Sequence, residues 1–113
     1  MPTYKGTVVE ESLDDNRVIN LLKVTAIKIS DEDNPTKRWH MYTVEVSEPE
    51  IDMLAQHIKD GWYMHFWEGK HIIAVFKNET FHFDAEKKET WEPAIRYGLS
   101  KGIPRKQLDF PTK

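Results

Sequence analysis

Trp62-Tyr63-Met64-His65-Phe66-Trp67-Glu68-Gly69-Lys70-His71-Ile72-Ile73-Ala74-Val75-Phe76-Lys77-Asn78-Glu79-Thr80-Phe81-His82-Phe83-Asp84 reads as three strands joined by tight turns at Glu68-Gly69 and around Lys77-Asn78-Glu79. Side chains alternate along a strand, so Trp62, Met64 and Phe66 share one face, and Tyr63, His65 and Trp67 share the other. Both faces are large. Two readings follow: rings build a core on each side of the sheet, or one side is core and the other is a binding surface. His82 and Asp84 also share a face. The hairpin register decides whether His65 approaches His71 or His82.

Upstream, Thr3 to Glu11 reads as a strand around Val8-Val9. Asp14-Asp15-Asn16 is a capping cluster, followed by Val18, Leu21 and Leu22 at helical spacing. Lys23 to Ser30 and Trp39 to Val46 alternate and form a hairpin, with Asp31 to Arg38 as its charged, solvated tip. Ser47-Glu48-Pro49-Glu50 is a helix start: Glu50 reaches back to Ser47, and the missing N–H of Pro49 costs nothing in the first turn. Ile51, Leu54, Ala55 and Ile58 form the buried stripe of that helix, and Gly61 is its expected left-handed stop.

Downstream, Thr90 is the expected cap of a second helix whose buried face is Trp91, Ala94, Ile95, Gly98 and Leu99. Gly98 costs roughly 1 kcal/mol inside a helix, so close approach of a Trp or Tyr is expected there. Gly102-Ile103-Pro104 stops the helix, and Leu108 and Phe110 dock on the body. The expected fold class is α+β, a mostly antiparallel sheet of five to six strands with two main helices packed on one face, in a single domain over residues 1–113.

Composition narrows the chemistry. The chain has 113 residues, no cysteine and a net charge of −3. Disulfides, thiolate nucleophiles and Cys-based zinc sites are therefore excluded. No apolar run is long enough for a signal peptide or a membrane span, so the expected location is the cytoplasm and no membrane partner is expected. Basic residues are scattered and offset by Glu10, Glu11, Asp14 and Asp15 and by Asp31, Glu32 and Asp33. Nucleic acid, which demands a basic stripe, is not the expected partner.

The candidate ligand or partner surface is Tyr63, His65, Trp67, His82 and Asp84. A metal site built from His65, His82 and Asp84 has no ligand-spacing motif behind it, and neither a metal nor another cofactor is expected. Candidate bases are His40, His65, His82, Asp84 and Glu92, but sequence alone brings no pair of them together, so the catalytic residues stay unassigned. The leading function is a small cytoplasmic binding or protein-interaction domain that uses the aromatic and histidine sheet face, with a small molecule as one class of ligand. The alternative is a small enzyme with His65 or His82 as general base in an aromatic-lined pocket. A homodimer is expected, through the Tyr63/His65/Trp67 face or through the sheet edge at Trp39 to Val46.

Gly61-Trp62-Tyr63-Met64-His65-Phe66-Trp67, Ile72-Ile73-Ala74-Val75-Phe76-Lys77 and Tyr97-Gly98-Leu99-Ser100-Lys101-Gly102-Ile103-Pro104 resemble segments of a family of short uncharacterised prokaryotic proteins. With Val8-Val9-Glu10-Glu11-Ser12 and Gln107-Leu108-Asp109-Phe110, the resemblance spans nearly the whole chain. It implies a stand-alone bacterial or archaeal cytoplasmic protein, and it transfers no functional residue.

Overall fold

The computed structural model describes residues 3–110; of the 1–113 domain expected, residues 1, 2 and 111–113 lie outside the described residues. In chain order the elements are β1 (Tyr4–Val9), β2 (Lys23–Ile29), β3 (His40–Val46), α1 (Glu48–His57), β4 (Met64–Glu68), β5 (His71–Phe76), β6 (Glu79–Asp84) and α2 (Glu92–Ser100). Short 3-10 turns at Glu10–Ser12 and Asn16–Leu21 carry the chain from β1 to β2. The six strands form one sheet in the order β2-β3-β1-β4-β5-β6, with every neighbouring pair antiparallel. This is the α+β architecture predicted from the pattern.

The helices are placed differently from the expectation. They lie on opposite faces of the sheet, each over its own core. Ile51, Leu54 and Ala55 of α1 pack with Val8, Val44, Val46, Phe66, Ile73 and Val75. Ala94 of α2 packs on the other side with Ile72, Ala74, Phe76, Phe83, Trp91, Ile103, Leu108 and Phe110. The reason lies in β5, where Ile72 to Phe76 are all buried. A strand apolar on both faces needs a cover on both faces.

Several local expectations also change. Helix α1 starts as predicted, with the Glu50 carboxylate accepting from the Ser47 N–H at 2.9 Å. It ends at His57, four residues before Gly61, because Ile58 turns extended and bridges Leu13. Gly61, at φ +84°, serves the following turn instead. Thr90 does not cap α2; its Oγ accepts from the Asp84 N–H at 3.0 Å and closes the link from β6. Leu99, expected on the buried face of α2, is exposed. The segment Trp39 to Val46 is no sheet edge, since β3 lies between β2 and β1.

Candidate ligand-binding groove

The second core covers only part of its sheet face. Above β4, β5 and β6 it is closed by α2 and the docked C-terminal segment, where Phe110 meets the rings of Phe83 at 5.0 Å, Trp91 at 5.4 Å and His65 at 5.6 Å. Next to this cover, β1 contributes Thr7 and Val9 on the same side. A groove of about 530 Å³ lies between the two regions, with Trp39, Trp62, His65 and Trp67 among its walls.

Each tryptophan reaches the groove by a different route. Trp67 stands on β4, and its ring lies 5.4 Å from His65 at 31°. Trp62 follows the Gly61 turn, closed by its N–H bonding the Lys59 carbonyl at 3.2 Å. Trp39 immediately precedes β3; it is 45% exposed and meets the Trp62 ring edge-on at 5.3 Å. Thus Trp62 and Trp39 meet at the end of the groove although 23 positions apart, which no local pattern foretells. Gln107 and Ile103 close the α2 side.

Tyr63 lines the groove and also pegs the C-terminal segment. Its ring stacks on Phe76 at 5.8 Å, and its hydroxyl donates to the Gln107 carbonyl. Burial, reinforced by the Asp109 charge, pushes the phenol above its ordinary pKa. Tyr63, expected on the candidate surface, therefore packs against the second core, while His65 and Trp67 line the groove beside it.

His82 and Asp84 lie elsewhere. In register, His65 opposes Ala74, Phe66 opposes Ile73, and Ile73 opposes His82. His82 thus follows the face of Phe66 and lies opposite to His65. Its Nδ1 approaches His71 Nε2 at 2.8 Å, and Tyr4 packs edge-on against His71 at 5.8 Å. Asp84 organises the entry to α2: its carboxylate accepts from the Glu86 N–H at 2.8 Å and its carbonyl from Trp91 Nε1 at 2.7 Å. A site joining His65 with His82 and Asp84 is not formed.

Among the described residues, Glu10, Glu11 and His40 are the one group of three ligand-type side chains within mutual reach. Their carboxylates are tied into hydrogen bonds with the neighbouring strand and turn. Glu11 accepts from the His40 N–H at 2.8 Å and bonds His40 Nδ1 at 2.8 Å. Glu10 accepts from Tyr42 at 2.7 Å and from Asn16 at 3.0 Å. All four carboxylate oxygens have partners, so the cluster is a latch between the turn after β1 and β3.

Comparison with family models, with curated proteins and with solved structures finds no match. Among the described residues, no helix is long and apolar enough to cross a membrane.

Proposed function

We propose that the protein is a small cytoplasmic binding domain that takes a compact, largely apolar, ring-bearing molecule into the tryptophan-lined groove. One observation supports this most: Trp39, Trp62 and Trp67 converge on a single groove from three separate parts of the chain. Flat aromatic walls favour stacked or edge-on rings. A volume of about 530 Å³ falls within the range typical of small-molecule sites. His65, Gln107 and Thr7 supply the polar groups that would orient a ligand. The cytoplasmic assignment rests on the cysteine-free composition.

The test uses indole as the probe, followed through the backbone amide resonances of the protein. Shifts confined to residues 62–67, Thr7, Val9 and Trp39, and lost in Trp67→Ala, are the expected result. Trp39→Ala, at a half-exposed position outside both cores, weakens the same shifts without threatening the fold. Shifts that map to another surface, or that survive both substitutions, overturn the proposal.

The enzymatic reading retains one supporting observation, which is His65 in the groove wall. Turnover lost in His65→Gln while indole-induced shifts persist would favour catalysis over simple binding.

A further inference from the structure

Among the described residues six large apolar side chains are exposed, and three of them form a strip along one strand: Val24, Ile27 and Ile29. Ile27 is 62% exposed and Ile29 46%. The strip runs along β2, an edge strand on which all seven residues are exposed. Its outer row of backbone donors and acceptors is open to another strand. Register gives the strip a direction. Val24, Ile27 and Ile29 oppose Val44, Tyr42 and His40. Val44 belongs to the first core and Tyr42 packs against it, so the apolar face of that core continues outward to the edge. Lys23 and Lys28 oppose Glu45 and Met41, on the other face, and do not interrupt the strip.

We propose that β2 is a self-association edge, where two copies of the chain pair antiparallel about a twofold axis near Ile27 and join their sheets. The argument for a second copy is charge complementarity. Each β2 begins at Lys23, whose ammonium also pairs with Glu45 of its own chain at 3.1 Å, and is followed by Asp31-Glu32-Asp33. Antiparallel pairing lays the basic end of each strand beside the acidic end of the other, twice per interface. With the axis at Ile27, Lys23 falls near the partner's Asp31, shifted by about one position because β2 bulges between Val24 and Ala26. The Ile27 side chains of the two copies meet at the centre, where Cα atoms of opposed residues lie about 4.5–5.5 Å apart. A twofold contact is satisfied by one surface patch, as this strip is. The proposal is independent of the groove and relocates the homodimer contact from β3 and the aromatic face to β2.

Two measurements test it. Light scattering from sub-micromolar to millimolar protein should show a mass rising from 13.4 kDa to twice that value. Ile27→Lys should hold the chain at 13.4 kDa throughout, with an unchanged circular dichroism spectrum. Because the chain has no cysteine, a single Ile27→Cys reports proximity without background. Mild oxidation should cross-link it into a covalent dimer, whereas Thr80→Cys on the opposite edge strand should stay single. A wild-type monomer at every concentration, a dimer indifferent to Ile27→Lys, or equal cross-linking at both positions overturns the proposal.

Discussion

Gly6 lies directly against Phe66: a Cβ built on Gly6 would come within 2.4 Å of Phe66 Cδ1 and 2.6 Å of the His65 carbonyl oxygen. The two residues are opposed in the β1–β4 pairing that joins the two halves of the sheet. One of the clashing atoms is backbone, so rotation of a side chain cannot relieve the contact. Gly6→Ala should therefore be among the most damaging single-methyl additions in this chain, costing about 3 kcal/mol, the upper end for overpacking. Urea denaturation monitored by tryptophan fluorescence measures it. A midpoint within error of wild type would mean that β1 does not sit this close to β4.

A second close approach sits beneath the C-terminal segment. A Cβ on Gly98 would lie 2.6 Å from Leu108 Cδ2, and both residues are buried. Replacing Gly by Ala gains roughly 1 kcal/mol of helix propensity. Displacing a packed Leu costs about 1–3 kcal/mol, so the net change should be a loss. The cause can be isolated by a double-mutant cycle. In a Leu108→Ala background, itself destabilised by about 2–5 kcal/mol, Gly98→Ala should become neutral or stabilising. Equal effects in the two backgrounds would rule out Leu108 as the reason for the glycine.

How much of this was readable depended on how local the determinant was. Ser47 to Glu50 and the Ile51/Leu54/Ala55 stripe fold through contacts within a few residues, and helix α1 begins where they say. The turns at Gly69 and Asn78 both adopt positive φ, as tight hairpin corners require. What stayed hidden was set by distant partners. Gly61 looks like a helix stop, yet the bridge from Leu13 to Ile58 ends the helix earlier. Gly98 announces a close neighbour without naming it, and the neighbour is Leu108, not an aromatic ring. The aromatic segment 62–67 was legible as important, but Trp39 was not legible as its companion, since a loop brings it there. The unbroken apolar run in β5 did carry the signal for two cores.

For α1, the stripe and its cap have separable weights. Leu54 is fully buried in the first core. Leu54→Ala should cost about 2–5 kcal/mol. Ser47→Ala, which removes a cap hydroxyl and leaves the Glu50 contact to the backbone N–H, should cost about 1 kcal/mol. The two sites are seven residues apart and share no partner, so their effects should add. Urea midpoints of both single variants and the double variant test this. An unchanged midpoint for Leu54→Ala would contradict the placement of α1 over the first core.

The latch between the turn after β1 and strand β3 makes stability depend on pH in a defined direction. The hydrogen bond that the His40 ring donates to Glu11 holds His40 above its ordinary pKa of 6.5, with the Glu11 and Glu10 charges acting in the same sense. For Glu11, burial pushes upward, but hydrogen bonds from the His40 ring and backbone outweigh it and hold the carboxyl below its ordinary 4.5. A raised histidine contributes stability that is fully present below the unfolded value and is lost as pH climbs through the folded one. A lowered carboxylate contributes stability that is present above its unfolded value and is lost as pH falls through the folded one. The pair therefore stabilises most between 4.5 and 6.5. His40→Ala removes the titrating partner, together with packing that does not depend on pH. The melting-temperature gap between wild type and His40→Ala should be wider at about pH 5.5 than at about pH 8.5. The His40 ring proton signals should titrate with an inflection above 6.5. A gap of constant width across this range, with an inflection at or below 6.5, would show that Glu11 and His40 are not paired.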